Sequence, residues 1–379
     1  MKALFVNPGG MAYGSGRSML SLLQARKFEA EVVCPGGGKL EQELQQLGIK
    51  VHPLAFGRYS VRQNPFWHLD FYRRFRRILK QSRPDAVVIN LDGNTPLVTL
   101  ASVSAGLPIL RFSRFEFKAP TRRLERWCWL RANAIICPSE LVRQQVLAWA
   151  PAEIHDRVHR LYEACAARTP SAGEIAAFRE KFGLGGDPLI GYVGRMHRGK
   201  RIETALEALA RIRKKISNAR LVIVGGYDGS DGEKFYQLEL AELAARLGIA
   251  GAVTFTGYLD HHQIPVATAA FQVAILPSES ESFGLVLVES WAQGIPTVAS
   301  DVSGCREITL AAGGGHLCPV GDADVFSRHV MDLIENPGQA AELGAVGRRW
   351  VQAECSAERY AARFYRLLEL SSDEIQPRL

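Results

Sequence analysis

The segment that decides the fold is VAILPSESESFGLVLVES, residues 273–290. It begins with a short apolar run of strand length, continues through a polar turn that holds carboxylates, and enters an apolar stretch of helical character. A buried strand that leads into a helix is the repeating unit of a parallel α/β sheet. Ligands of such sheets bind beyond the carboxyl ends of the strands, so the turn at 277–284 is a candidate binding site.

Strand-like and helix-like segments alternate along the rest of the chain, which predicts parallel sheets covered by helices. The first half predicts the strands Ala3–Val6, Ala30–Cys34, Val51–Pro53, Ala86–Leu91, Pro108–Phe112, Ala134–Cys137 and Val158–Tyr162. The second half predicts Leu189–Val193, Arg220–Val224, Val253–Phe255, Val273–Leu276, Thr297–Ala299 and His316–Cys318. Helical periodicity is seen in Ser18–Gln24, Leu40–Gln46, Phe71–Gln81, Ile202–Ile216, Ala340–Ala353 and Ala357–Leu370.

The 379 residues suit two domains better than one, because a single hydrophobic core stops growing at roughly 250–300 residues. The alternation breaks between Glu163 and Ala172, which reads as a linker. We therefore predict an α/β protein with two Rossmann-like domains, at 1–165 and 173–355, whose parallel sheets face across a cleft. The final segment, 356–379, is expected to be a helix that packs back on the N-terminal domain.

Composition limits the compartment and the class of partner. No apolar run is long enough for a membrane-spanning helix, and the N-terminus reads as a strand rather than a signal peptide. The seven cysteines are scattered without a CxxC pair, so neither a disulfide framework nor a zinc site is indicated. A cytoplasmic location is the simplest expectation. The net charge of +7 is compatible with a phosphorylated ligand, an anionic membrane or nucleic acid.

A second motif is GYVGRMHRGK, residues 191–200, in which a strand ends and two cations follow. Arg195 and Lys200 flank a turn, where they could clamp a diphosphate and stabilise the charge on a leaving nucleotide. Taken alone, this motif somewhat favours the alternative that they are ordinary surface cations.

Two carboxylates of the segment 273–290 could bind other parts of the same diphosphate-containing ligand. Glu281 is expected just before the helix and Glu289 about two turns into it. The helix start around Phe283, Gly284 and Leu285 would offer backbone N–H groups to a phosphate. An alternative is that both acids are solvated or cap the helix, since a helix start favours acidic side chains in any case.

Together, Arg195, Lys200, the Glu281-x7-Glu289 pair and GIPTVA at 294–299 resemble the donor site of the retaining glycosyltransferases of family 4, which have the GT-B fold. The resemblance covers about 189–308. It implies that Arg195 and Lys200 hold the donor diphosphate, that Glu281 contacts the transferred sugar, and that Glu289 holds the ribose. By this resemblance Glu281, Arg195 and Lys200 are the catalytic residues.

The resemblance also assigns backbone contacts. Amides around Phe283, Gly284 and Leu285 would bind phosphate, and the segments 221–226 and 255–258, the latter with Gly257, would surround the base. In the glycine-rich loop at 7–18, Gly16 best matches the phosphate-contacting glycine of the family, although a plain flexible turn is an equal alternative.

The implied activity is metal-independent transfer, with retention, of a hexose-type sugar from a UDP- or GDP-sugar to a glycan or lipid-linked acceptor. No cofactor is implied. Bacterial surface-polysaccharide or glycolipid synthesis is the expected setting. The sequence leaves the base, the sugar and the acceptor open.

The chain departs from the pattern of the family at one place. Many relatives carry a histidine after the strand that corresponds to Pro108–Phe112, whereas this chain has RFSRFE at 111–116, with Arg114 at or beside that position. An arginine cannot act as a base near neutral pH. Arg114 could stabilise a phosphate or hold Glu116, and these two residues are the nearest substitutes.

Two segments combine basic and aromatic residues, a combination that suits peripheral docking on an anionic membrane. Nucleic acid and a solvated helix with its aromatics in the core are alternatives, and we expect no nucleic-acid partner. The first segment holds Arg58, Tyr59, Arg62, Phe66, Trp67, Phe71, Tyr72, Arg73, Arg74, Phe75, Arg76, Arg77 and Lys80. The second holds Lys118, Arg122, Arg123, Arg126, Trp127, Trp129 and Arg131.

Rival functions make different demands on the sequence. A sugar-nucleotide epimerase shares the fold and would form product without an acceptor, and a phosphorylase would require a lysine site for pyridoxal phosphate, for which there is no convincing segment. A nicotinamide-dependent oxidoreductase should show GxGxxG and an acid after the second strand, whereas that strand ends at Cys34-Pro35-Gly36. A nucleic-acid binder leaves the paired glutamates unexplained.

Overall fold

The computed structural model describes residues 1–57, 65–93, 95–165, 168–185, 188–226 and 231–373. The chain divides into two compact units. The N-terminal unit comprises Met1–Glu163 and the chain from Ala357, and the C-terminal unit comprises Ala164–Ser356. Each unit has one parallel sheet with helices, which confirms the predicted fold class.

The N-terminal unit has a seven-stranded sheet in the order β3-β2-β1-β4-β5-β6-β7. Its strands are β1 (Lys2–Val6), β2 (Glu29–Cys34), β3 (Lys50–Pro53), β4 (Ala86–Ile89), β5 (Ile109–Phe112), β6 (Ala134–Cys137) and β7 (Val158–Arg160). Its first helices are α1 (Gly14–Gln24), α2 (Lys39–Gln46), α3 (Pro65–Ser82), α4 (Thr95–Val103), α5 (Arg123–Leu130) and α6 (Glu140–Trp149).

The C-terminal unit has a six-stranded sheet in the order β10-β9-β8-β11-β12-β13. Its strands are β8 (Leu189–Val193), β9 (Arg220–Val224), β10 (Val253–Gly257), β11 (Val273–Leu276), β12 (Thr297–Ser300) and β13 (Gly315–Cys318). Its helices are α7 (Ala172–Lys181), α8 (Ile202–Ile212), α9 (Asp231–Arg246), α10 (Ile264–Ala269), α11 (Leu285–Ala292), α12 (Ser303–Ala312), α13 (Ala323–Glu335) and α14 (Pro337–Glu354).

The central strands are mainly apolar because helices cover both faces of a parallel sheet. All four residues of β4 and all five of β8 are buried. In each sheet the strand order reverses once, between β1 and β4 and between β8 and β11. The loops after these strands therefore leave the sheet at a topological switch point, which is where α/β sheets bind ligands.

Every predicted strand is present, with ends that differ by no more than two residues. Helix ends were predicted less well. Helix α1 begins at Gly14 and takes in residues 14–18 of the predicted glycine-rich loop, and α8 ends at Ile212 rather than Ile216. Each helix of the described residues is too short or too polar to cross a lipid bilayer.

The last helix, α15 (Ala357–Asp373), packs on the N-terminal sheet. Phe364 is fully buried, and its ring centroid lies 5.7 Å from that of Phe5, 5.6 Å from that of Phe28 and 5.9 Å from that of Phe112. The Tyr360 hydroxyl lies 3.3 Å from Ser18 Oγ on α1. Helix α15 thus completes the hydrophobic core of the N-terminal unit, to which β1 also contributes.

We predict that Phe364→Ala lowers the free energy of unfolding of the N-terminal unit by about 3–5 kcal/mol, because it leaves a cavity among three aromatic rings. Thermal or denaturant unfolding followed by circular dichroism measures this. The control is Leu370→Ala on the same helix, where the side chain is 60% exposed and the change should stay within about 0.5 kcal/mol. Equal effects of the two variants would contradict the packing described.

Candidate functional site

Two loops meet at the switch point of the C-terminal sheet. Strands β8 and β11 are parallel neighbours, with Val273 beside Ile190 and Ala274 beside Gly191. Their carboxyl ends therefore deliver the loops that follow them to the same edge. The Glu279 N–H donates to the Gly199 carbonyl oxygen at 3.0 Å, so the loops are bonded directly to each other.

The side chains of Lys200 and Glu281 form an ion pair across these loops. The Ser278 hydroxyl donates to the same carboxylate oxygen of Glu281 at 2.9 Å. The Lys200 side chain is 25% exposed and that of Glu281 is 15% exposed, so the pair is partly desolvated yet open on one side. Two residues that are 81 positions apart and were both predicted for the site are thus in contact.

Arg195 lies on the loop directly after β8 and is half-buried. Its carbonyl oxygen accepts from the Tyr192 hydroxyl at 3.1 Å and from the His197 N–H at 3.0 Å. His197 Nδ1 in turn accepts from the Gly199 N–H at 3.1 Å. These bonds fix the backbone between the two predicted cations, Arg195 and Lys200.

Helix α11 begins at Leu285, and its N-cap is Gly284 with φ of +93°. That dihedral lies in the left-handed region, which glycine occupies without strain. Within the described chain no side chain caps this helix. Phe283 is buried and anchors the turn. The predicted helix start therefore lies beside the ion pair with its first N–H groups uncapped by any side chain, an arrangement that favours an anion.

Gly304 is a residue of this site that sequence reasoning missed. It lies in the first turn of α12, and its N–H donates to the Glu281 carbonyl oxygen at 2.9 Å. A Cβ at this position would lie 2.4 Å from Phe283 N and 2.5 Å from the carbonyl carbon of Ser282. The loop that carries Glu281 thus rests directly on the backbone of α12, and no sequence motif marks this contact.

The loops after β8, β9 and β10 are also joined through backbone. The Gly194 N–H donates to Val224 O at 2.9 Å, and the Gly225 N–H donates to Gly257 O at 3.0 Å. Gly225 has φ of +138°, and a Cβ there would lie 1.9 Å from Gly194 O. The segments predicted to surround a base therefore form one continuous, backbone-lined edge.

Glu289 is the fifth residue of α11, so it lies just over one turn into the helix rather than two. The prediction was wrong because the helix begins at Leu285 instead of Phe283. Glu289 is 8% exposed. It lines a small pocket within the C-terminal unit whose other members are Cys165, His261, Ile264, Pro265 and Gln293.

In the N-terminal unit, Gly16 is buried as the third residue of α1. A Cβ there would lie 3.2 Å from Met11 O and 3.7 Å from Ala12 Cβ. The glycine therefore allows the preceding loop to fold closely against the start of the helix.

Arg114 is a buried structural centre of the N-terminal unit. Its Nη1 donates to Glu163 Oε1 at 2.5 Å and to Ser18 Oγ at 3.0 Å, and its Nη2 donates to the side-chain oxygen of Asn90. Burial opposes its charge, but the Tyr360 hydroxyl and the Glu163 carboxylate raise the pKa of Arg114. Its partner is Glu163, not Glu116, so the idea that Arg114 holds Glu116 is wrong.

A cavity of about 1390 Å³ opens in the N-terminal unit at the carboxyl ends of β4 and β5, next to α5. It is large enough for a sugar-sized ligand. Its polar and charged lining includes Asp92, Thr95, Arg111, Ser113, Arg114, Glu116, Lys118, Thr121, Arg122 and Glu125.

The aromatic residues of the basic segments lie largely in the core. Phe71 and Phe75 are buried, and Trp67 and Tyr72 pack against them. Phe66 is the exposed exception at 77%. The exposed cations of α3 are Arg73, Arg74, Arg77 and Lys80, while Arg58, Tyr59 and Arg62 lie outside the described residues.

Within the described ranges, no group of three or more His, Cys, Asp or Glu side chains could hold a metal ion. All seven cysteines are buried. Burial raises the pKa of the Cys305 thiol well above its usual value.

Two family descriptions match the chain in tandem. Residues 9–168 match "Glycosyl transferase 4-like domain", and residues 174–350 match "Glycosyl transferases group 1". A solved structure of Anabaena HepE with UDP and glucose superposes with a TM-score of 0.85 at 19% identity, covering 97% of this chain and 99% of that one. The chain has the GT-B fold, and each of its halves matches a glycosyltransferase domain.

Curated relatives of this GT-B protein include transferases of several sugars. A GDP-mannose-dependent phosphatidylinositol monomannoside mannosyltransferase of Mycolicibacterium smegmatis is 29% identical over 206 residues, which is 52% of each chain. The match thus spans about half the length of that relative. A 2-deoxystreptamine glucosyltransferase of Streptomyces kanamyceticus is 29% identical over 364 residues, or 88% of this chain and 92% of the other.

We predict that Gly304→Ala loosens the loop that carries Glu281, because the added methyl group would overlap backbone atoms that cannot move independently. The expected cost is about 1–3 kcal/mol of stability. The readouts are a lower melting temperature and faster amide hydrogen exchange over residues 279–286.

The matched control is Gly338→Ala. Gly338 also lies in the first turn of a helix, α14, but a Cβ there would meet no atom within 4 Å. It should leave both readouts unchanged or slightly raise the melting temperature. If Gly304→Ala behaved like this control, the close contact between the loop and α12 would be refuted.

Proposed function

We propose that this GT-B protein transfers a hexose-type sugar from a UDP- or GDP-sugar to a glycan or lipid-linked acceptor, with retention of configuration and without a metal ion. The observation that carries the proposal is the contact between Lys200 and Glu281 beside the start of α11. The cation and the helix start suit the diphosphate of a nucleotide-sugar, and the carboxylate suits the transferred sugar.

The cations and the helix start would act on the leaving group. As the bond from the anomeric carbon to the diphosphate breaks, negative charge grows on the diphosphate oxygens. Arg195, Lys200 and the amides of Phe283, Gly284 and Leu285 would stabilise that charge from fixed positions. The dipole of α11 contributes in the same direction. Lys200 would then exchange part of its contact with Glu281 for contact with phosphate.

Glu281 would bind the transferred sugar. In a retaining step, the acceptor hydroxyl oxygen bonds to the anomeric carbon on the face from which the diphosphate leaves. The hydroxyl proton passes to an oxygen of the departing phosphate, so no protein base is required. This assignment fits Arg114, whose guanidinium is already committed to Glu163 and which cannot accept a proton.

The ribose, the base and the acceptor are assigned to other parts of the two units. Glu289 would hold the ribose, and the edge formed by Gly225 and Gly257 would face the base. We assign nucleotide-sugar binding to 173–355 and acceptor binding to 1–165, with Gly16 near donor phosphate. The helix within 356–379 would complete the acceptor domain.

We place this transfer in surface-polysaccharide or glycolipid synthesis, and the relative named for a phosphatidylinositol acceptor favours the glycolipid setting. A lipid-linked acceptor would make peripheral membrane docking useful. The exposed cations of α3 together with Phe66 offer a surface for it. Co-sedimentation with vesicles tests this. Binding that does not depend on anionic lipid would remove membrane docking from the proposal.

A nucleotide panel tests the proposal as a whole. UDP, GDP, ADP, NAD and RNA are compared by their effect on melting temperature, and the stabilising nucleotide fixes the donor for mass analysis of transferred sugar. We expect one nucleoside diphosphate to raise the melting temperature. Stabilisation by NAD or RNA alone would reject the proposal, and sugar conversion without an acceptor would indicate an epimerase.

We predict that Glu281→Ala lowers kcat for transfer by about 10²–10³-fold with little change in nucleotide affinity, because its contact is to the sugar. Glu289→Ala should mainly weaken nucleotide binding, by about tenfold. Steady-state kinetics and calorimetry separate the two effects.

Glu279→Ala is the control, since this exposed carboxylate belongs to the same turn and its backbone bond to Gly199 survives the change. It should transfer at the wild-type rate. Full activity of Glu281→Ala would contradict its assignment to the sugar.

A further inference from the structure

Arg111 is the buried charge in the wall of the N-terminal cavity. It is the third residue of β5 and is only 3% exposed, although it lines the open space. Its guanidinium stacks on Trp129, with the Cζ atom 3.8 Å from the ring centroid. This stacking fixes the plane of the guanidinium, so the directions of its N–H groups are set before any ligand arrives.

The Arg111 guanidinium has hydrogen-bond donors that no described residue accepts from. Its Nη2 donates to Asp92 Oδ1 at 2.5 Å, whereas its Nε and Nη1 are buried and have no partner among the described residues. A buried cation with unmade hydrogen bonds is costly and calls for an explanation. Burial lowers the pKa of Arg111, but arginine stays protonated at physiological pH.

The other cationic side chains that line the cavity either pair with a carboxylate or are exposed to solvent. Arg114 pairs with Glu163, and Arg122 lies 3.9 Å from Glu125. Lys118 is exposed at the rim. The Asp92 side chain is 60% exposed, so water screens its charge far more than that of Arg111. Arg111 is therefore the desolvated positive group to which an incoming oxyanion would bind most strongly.

We propose that the acceptor carries an oxyanion, a phosphate or carboxylate group, that binds Arg111 in this cavity. The proposal rests on the proposed function for the word acceptor, but anion binding at Arg111 can be tested without it. The anion pairs with the Arg111 guanidinium, and stacking on Trp129 holds that guanidinium in place.

The test compares pairs of compounds that differ in the anionic group. Soluble pairs are glucose 6-phosphate or glucuronate against glucose, and glycerol 3-phosphate against glycerol. The lipid pair is phosphatidylglycerol against diacylglycerol in phosphatidylcholine vesicles. Binding is measured by calorimetry, and by co-sedimentation for vesicles, on the full chain with the preferred nucleotide present.

The variants are Arg111→Met, Arg111→Lys and the control Arg366→Met, an exposed arginine on α15. We expect at least one anionic compound to bind about tenfold or more tightly than its neutral partner. Arg111→Met should abolish that difference, Arg111→Lys should keep part of it, and the control should keep all of it. Melting temperatures confirm that each variant is folded.

Absence of binding by every anionic compound, or a preference that survives in folded Arg111→Met, overturns the proposal. A preference confined to soluble compounds assigns the oxyanion to a sugar phosphate or uronate, and one confined to vesicles assigns it to a lipid headgroup. Loss of nucleotide binding or of sugar transfer in the wild type would instead refute the proposed function, while leaving anion binding at Arg111 measurable.

Discussion

The contact between the Lys200 ammonium and the Glu281 carboxylate is the interaction on which the account of the C-terminal unit depends. It joins the loops after β8 and β11 at the place where the strand order reverses. A fully exposed pair would contribute little to stability. The pair of Lys200 and Glu281 is partly desolvated, and Ser278 donates a hydrogen bond to its carboxylate. The role of the pair is to hold two opposite charges at a fixed spacing next to a helix start. Each charge then suits a different part of a nucleotide-sugar.

Close backbone contacts make that spacing reproducible. Gly304 allows α12 to touch the loop of Glu281, and Gly225 allows the β9 loop to touch Gly194. Contacts between main chains cannot relax by a change of rotamer, so the loops are held more rigidly than side-chain packing alone would hold them. Such preorganisation is what electrostatic stabilisation of a leaving group requires.

The N-terminal unit uses buried arginines for two different purposes. Arg114 donates to Glu163, Ser18 and Asn90, and it ties together the ends of strands and the start of α1. Arg111, three residues earlier, has Asp92 as its one side-chain hydrogen-bond partner among the described residues and lines an open cavity. This difference in the number of partners is why we assign Arg114 to the fold and propose Arg111 for a ligand.

Sequence patterns predicted the strands well because the central parallel strands are buried on both faces and are therefore mainly apolar. The patterns also predicted that Lys200 and Glu281 share one site, since the loops that follow neighbouring parallel strands leave the same edge of the sheet. The patterns missed Gly304 and Arg111. A close approach between two backbones and an unpaired donor depend on how distant segments pack, which a local pattern does not encode. The start of α11 was misplaced because the left-handed Gly284 is the N-cap, so the helix begins two residues later than expected.

The most direct measurement of the central claim is a crystal structure of this chain with a bound nucleoside diphosphate. We expect the diphosphate to lie within hydrogen-bonding distance of the Arg195 and Lys200 side chains and of the amides at 283–285, with the ribose next to Glu289. A diphosphate bound elsewhere on the C-terminal unit, with the contact of Lys200 and Glu281 unchanged and remote from it, would contradict the account.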